Sequence, residues 1–260
     1  FSAGTDLFCD GKSTSVIMNY YKAFTASDET VLKLYTNCYK GIQLANSVIA
    51  YSKATAESDV RARYTDEARF IRAYYYLMLV QQFGSVPLTT DMYSSAKMNF
   101  ERTSLKEIYQ FVIDEFTYLS GSSSNLQDRT AAGVGRANKQ AALFFLAKAY
   151  LTRAWLNGKD YESLEENIAQ STDFSNAVKY ALQAINGKIP SISIEKAFSI
   201  DNEENTEIFW SVQFSAATME NPSNDGNCQQ AQFGSYLGGS ECPLNKAIDG
   251  NMAPALRLIQ

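Results

Sequence analysis

Between Asp28 and Asn186 apolar residues recur at steps of three and four, a spacing that predicts helices rather than strands. Val31, Leu34, Cys38, Ile42, Ala45 and Ile49 mark one face of a first helix over Asp28–Ser52. Gly41 inside it lowers helix stability, which argues for close approach of a neighbour. A second helix over Asp59–Phe83 carries Ala68, Ile71, Tyr75, Met78 and Gln82 on one face and Phe70, Tyr74, Leu77 and Ser85 on another. Apolar on most sides, it is predicted to be buried on most sides. A third, Ser104–Leu119, has Leu105, Ile108, Val112, Phe116 and Leu119 as its stripe. The fourth, Asn138–Trp155, sets Ala141, Phe144, Lys148, Leu151 and Trp155 beside Ala142, Phe145, Ala149 and Thr152, again apolar nearly all round. A fifth runs to Asn186 with Asp173 as its N-cap and Phe174, Val178, Ala181 and Ile185 turned inward.

The breaks between these segments have their own chemistry. Gly84 suits a left-handed cap and Pro87 blocks continuation of the second helix. Ser104 and Glu107 have the spacing of a capping box, and Gly121–Asn125 reads as a flexible loop. Helix one with two, and three with four, form hairpins, so the chain reads as a mainly α, tetratricopeptide-like stack without the Trp-x-x-Leu-Gly signature. After Gly187 the pattern changes. Asn205–Phe214 is strand-like, with Ile208, Trp210 and Val212 on one side, and stretches 221–227 and 234–239 are rich in turn residues. The expected organisation is a helical scaffold over 1–188 and an irregular, loop-rich ligand-binding region with short strands over 189–260, itself incomplete.

Composition removes several kinds of chemistry. With 45% hydrophobic and 20% charged residues the chain reads as globular. A net charge of −5 without a basic block argues against nucleic acid. The absence of histidine excludes Ser-His-Asp and Cys-His catalysis and His-metal motifs. The four cysteines form no Cys-x-x-Cys pair. Cys38 falls on the apolar helical face, while Cys228 and Cys242 bracket a Gly-rich loop whose spacing leaves a disulfide open. The longest uncharged apolar run, Ala73–Val80, is far short of the roughly 20 residues of a spanning helix. Phe1–Asp6 is no signal peptide, and both ends are abrupt, as expected of a piece of a longer chain.

Four stretches in order carry a resemblance. Tyr39-Lys-Gly-Ile-Gln-Leu-Ala-Asn46 comes first, and Glu67-Ala-Arg-Phe-Ile-Arg-Ala-Tyr-Tyr-Tyr76 with Phe83-Gly-Ser-Val-Pro-Leu88 second. Gly135-Arg-Ala-Asn-Lys-Gln-Ala-Ala142 and Asn205-Thr-Glu-Ile-Phe209 complete the set. Together they resemble the SusD/RagB-like outer-membrane nutrient-binding lipoproteins of Bacteroidetes. The resemblance implies a tetratricopeptide-like domain docked on a SusC-like TonB-dependent transporter, and an irregular region that captures a glycan or, in some members, a peptide. It further implies a lipid anchor upstream of Phe1 as the link to the cell-surface side of the outer membrane, no cofactor and no chemical step.

Sugars are held by flat aromatic faces flanked by amides and carboxylates. Tyr93, Phe233 and Tyr236 are the candidate platforms, with Asp91, Gln229 and Gln230 as hydrogen-bonding partners. Trp210 reads as core. Tyr74, Tyr75 and Tyr76 point in three directions and so form no single platform. Arg69 and Arg72 are expected to pair with carboxylates of neighbouring helices. Asp114–Glu115, Glu165–Glu166 and Glu203–Glu204 look solvated, and adjacent carboxylates do not converge on one glycosidic bond. Asp201–Asn205 lacks the glycine of a calcium loop, and Gly133-Val-Gly135 lacks the residues of a phosphate loop. Two other readings stay open: a tetratricopeptide adaptor holding a peptide in its concave groove, and a carboxylate glycoside hydrolase.

Overall fold

The fold is taken from a computed structural model, which describes residues 8–10, 28–95, 97–156, 170–188, 191–197, 199, 202, 205, 207–213 and 252–254. The chain divides into two compact units, one of residues 1–32 and 213–260 and one of residues 33–212. In the first, β1 (Phe8–Asp10) pairs antiparallel with β2 (Met252–Pro254), Cys9 opposite Ala253.

The second unit is helical, and its elements follow the apolar pattern closely. They are α1 (Glu29–Ala54), α2 (Asp59–Phe83), α3 (Leu105–Ser120), a short α4 (Arg129–Ala132), α5 (Lys139–Trp155), α6 (Gln170–Ile185) and a short α7 (Ile194–Ala197). Sequence chemistry sets the ends. Ser58 and Asn138 cap α2 and α5, each accepting a backbone N–H from three residues on. Ser104 and Glu107 close both halves of the capping box on α3, which holds the Glu107 carboxyl below its usual range. Gly84 ends α2 at φ 68°, a conformation that favours glycine, and Pro87 follows in the loop.

One core joins α1, α2, α3 and α5. Phe70, fully buried, meets the rings of Phe116, Phe145 and Trp210 at centroid distances of 5.6, 5.7 and 5.4 Å. The three tyrosines of α2 do point three ways. Tyr74 packs on Phe145 and Trp210, Tyr75 lies against Gly41 of α1, and Tyr76 reaches the loop after α2. Cys38 is a buried free thiol in this core, pushed up in pKa by burial.

Gly41 bears out the expected close approach. A Cβ there would stand 2.2 Å from Cε2 of Tyr75. Gly41→Ala is therefore expected to cost about 1–3 kcal/mol, despite the ~1 kcal/mol of helix propensity that alanine brings. Urea melts of Gly41→Ala, Tyr75→Ala and the double variant check this. The double variant should be at least as stable as Tyr75→Ala alone.

Several expectations fail on burial. Asp173 is not the N-cap of α6, which begins at Gln170. It lies buried inside the helix, and its carboxylate accepts from Arg153 of α5 at 2.7 and 2.8 Å. The face of α6 turned to α5 is Asp173, Ala177 and Ala184, with Tyr180 stacked on Tyr150. Val178 and Ile185, expected inward, are instead exposed, Val178 at 60%, and Leu182 is exposed as well. On α5 only one of the two faces is core: Phe144, Leu151 and Trp155 are exposed, the last at 71%. Small residues win because they let α5 and α6 approach closely and leave room for the buried ion pair.

The stretch 121–125 is anchored rather than flexible. Buried Asp66 of α2 accepts from the Asn125 backbone N–H at 2.6 Å, from its side chain at 3.1 Å and from the Ser124 hydroxyl at 3.3 Å. The strand expected at Asn205–Phe214 is also absent among the described residues. Residues 207–213 run irregularly, and scaffold side chains bond two of their carbonyls. The Ile208 carbonyl accepts from Arg129 and the Phe209 carbonyl from Asn138, each at 2.9 Å, while the Trp210 indole donates to the Gly135 carbonyl. With donors on the helices there is no need of a partner strand. Trp210 is half-buried against Phe70, as its core assignment required.

Candidate functional site

The segment after α2 leaves the scaffold at Val86 and returns at Thr103, where the two form an antiparallel bridge. Between these points the loop carries Asp91, Tyr93, Lys97 and Phe100. Its first half is fixed by polar side chains of α1 and α2. The Tyr76 hydroxyl donates to the Thr89 carbonyl at 2.9 Å and accepts the Thr89 N–H at 2.7 Å. Asn46, buried on α1, donates to the carbonyls of Thr89 and Asp91, both at 3.1 Å. Tyr39 donates to the Pro87 carbonyl at 2.6 Å, and Gln43 to the Tyr93 carbonyl at 3.1 Å. Burial pushes the Tyr39 and Tyr76 phenols up in pKa, keeping both neutral donors at ordinary pH.

A buried charge cluster stands behind these anchors. Arg72 donates to the Asn46 side-chain oxygen at 3.0 Å and to the Thr90 carbonyl at 3.3 Å, and pairs with Glu115 of α3 at 3.4 Å. Arg69 grips the same carboxylate through two nitrogens, at 3.0 and 2.9 Å, and lies over the Tyr118 ring. Burial on its own would lower the Arg69 pKa, but the Glu115 bonds and charge leave it raised. Both arginines thus find a carboxylate on the neighbouring helix. The expectation that Glu115 is solvated fails: it is 8% exposed, whereas Asp114 beside it is exposed.

Between α1 and this loop lies a cleft of about 710 Å³. Tyr35, Tyr39, Lys40 and Gln43 form the helix wall, with the exposed Leu44 at its side, while Pro87, Tyr93 and Phe100 form the loop wall. The Tyr93 and Phe100 rings meet edge to face at 5.7 Å, and the Lys97 ammonium lies 5.4 Å and 5.0 Å from their centroids. Among the described residues no Asp or Glu lines the cleft, and no group of His, Cys, Asp or Glu could hold a metal ion.

Of the sequence candidates, Tyr93 lines this cleft, while the Asp91 side chain is exposed and does not. Gln229, Gln230, Phe233 and Tyr236 lie outside the described residues, as do Cys228, Cys242 and the pairs Glu165–Glu166 and Glu203–Glu204. Tyr35, Tyr39, Gln43, Lys97 and Phe100 were not anticipated. A second tyrosine stripe at i, i+4 on the first helix, set off from its apolar face, is the signal that marks Tyr35 and Tyr39.

Comparison with known proteins gives a consistent picture. A SusD-like family model, described as starch-binding and associating with the outer membrane, matches residues 4–151. Comparison with curated protein sequences finds no match. A SusD superfamily protein from Parabacteroides distasonis superposes with a TM-score of 0.73 at 22% identity, over 98% of this chain and 51% of that one. A structure determined with a xylogluco-oligosaccharide gives 0.72 at 21% identity, over 91% of this chain and 45% of that one. A SusD-like carbohydrate-binding protein from Bacteroides fragilis gives 0.55 at 25% identity, over 69% and 33%. The chain spans about half the length of the first two of these structures. No described helix is long and apolar enough to cross a membrane.

Proposed function

The chain belongs to the SusD-like family, and from that premise we propose that it binds an oligosaccharide without transforming it, for delivery to a SusC-like TonB-dependent transporter. The observation that carries this reading is the aromatic wall of Tyr93 and Phe100, presented on a loop that α1 and α2 hold in place. Aromatic rings take the C–H face of a sugar, and Thr36, Lys40 and Gln43 offer polar atoms to its hydroxyls. We propose Asp91, and Gln229, Gln230, Phe233 and Tyr236 of the loop-rich region over 189–260, as further glycan-binding residues. A lipid anchor upstream of this segment would hold the protein on the cell-surface side of the outer membrane.

A glycosidase needs an acid and a base on either side of the scissile bond. Of the three carboxylate pairs considered above, the one among the described residues is otherwise engaged: Glu115 is held by two arginines, and exposed Asp114 accepts from Gln110. The peptide reading draws on the same cleft, whose Leu44 and tyrosines also suit an apolar side chain.

Calorimetry against a panel of oligosaccharides and peptides, with Tyr93→Ala alongside, tests the proposal. Glycan binding is expected to weaken about tenfold or more in the variant, the loss of one stacking platform. Undiminished glycan affinity in Tyr93→Ala would remove the cleft from the site. Peptide binding without glycan binding would favour the adaptor, and release of reducing sugar would make the protein an enzyme.

A further inference from the structure

In a protein of net charge −5, Lys40 is the one ionic residue that lines the cleft among the described residues, and exposed Lys97 stands beside it on the rings of the loop wall. Lys40 stands on the helix wall, and Lys97 lies over the two rings of the loop wall. Neither has an ion-pair partner among the described residues. Asp91 and Glu101, on the same loop, are exposed and do not line the cleft.

Resting on the glycan reading above, we propose that the preferred ligand is an acidic oligosaccharide, bearing uronate or sulfate groups, with Lys97 and Lys40 as its specificity-determining residues. The Lys97 ammonium lies over both rings, so a sugar that stacks on those same faces meets it there. A neutral sugar must push it aside and break the cation–π interaction without offering a substitute. An acidic sugar gives the displaced ammonium a new partner. Its anionic group binds Lys97 at the rim of the rings while its C–H face takes the place the ammonium left. Lys40, on the helix wall, would take a second anionic group. Discrimination then comes from a charge pair that acidic ligands form and a cation–π interaction that neutral ligands break.

The test is titration of the whole chain with matched pairs of probes, for instance hexagalacturonate against maltohexaose and sulfated against unsulfated galactan oligomers. Titrations run at about 50 and 300 mM salt. Acidic members are expected to bind at least tenfold more tightly than their neutral counterparts, and to weaken as salt rises. Lys97→Ala and Lys40→Ala should each lower acidic-glycan affinity about threefold to tenfold. Lys97→Arg should retain it, and Lys97→Glu should reverse the preference toward neutral sugars. Equal or tighter binding of neutral members, lost in Tyr93→Ala but untouched by Lys97→Ala, would overturn this inference and leave the cleft as a glycan site. Glycan binding indifferent to Tyr93→Ala, or no glycan binding, would overturn the underlying reading as well.

Discussion

Glu115→Ala is expected to destabilise the chain by about 3–5 kcal/mol, the usual consequence of removing one partner from a buried charge group. The carboxylate is shared by Arg69 and Arg72, whose side chains are 25% and 8% exposed. Without it two guanidinium groups at the α2–α3 interface lose the carboxylate they are bonded to. Arg72 has little in reserve, since its Nε already lacks a partner. Asp114→Ala, one residue away on the exposed side, should change stability by less than about 0.5 kcal/mol. Urea denaturation of both variants is the check, and equal midpoints would show the cluster to be no more than a surface ion pair. Because Arg72 also holds Asn46 and the Thr90 carbonyl, Glu115→Ala should weaken ligand binding in the protein that remains folded.

Phe70→Ala should cost a similar ~3–5 kcal/mol, through lost transfer energy and the cavity left among three rings. A second signal accompanies it. Trp210 rests on Phe70, and residues 207–213 form no strand among the described residues. In a Trp155→Phe background, which removes the exposed indole, the Trp210 emission should shift to the red in Phe70→Ala while Arg129→Ala shifts it less. An unmoved spectrum would mean that the Phe70 contact does not hold the segment in place.

The helical half of this architecture was legible because periodicity reports on length and position. The predicted ends of α2 coincide with the observed ones, and those of α3 and α5 lie within a residue. Side-chain facing was less legible where the true interface is made of small residues. Val178 and Leu182 form a stronger apolar stripe than Ala177 and Ala184, yet alanines and an ion-paired aspartate make the closer packing. Apolarity marks what can be buried, not what is. The alternation in 207–213 looked like a strand, yet the adjacent Phe209 and Trp210 both pack on the core while Val212, expected on the side of Trp210, is exposed. Tyr93 could be picked from the sequence because the Gly-Pro stop places it on a loop. Phe100 and Lys97 could not, since their relation to Tyr93 depends on how the loop returns to Thr103. Nor does anything near Asn46 in the sequence announce that its amide holds a loop more than forty residues on.

That the backbone from Pro87 to Tyr93 is held at five carbonyls before any ligand arrives bears on the thermodynamics and speed of capture. A loop ordered only on binding would charge each encounter with its own lost freedom, on the order of 1–2 kcal/mol per residue. Here that ordering has been met during folding, so the entropy given up on association falls on the ligand and on a few exposed side chains. Association then waits on diffusion and orientation rather than on a rearrangement of the chain, which suits a protein that must pass its cargo on as readily as it takes it up.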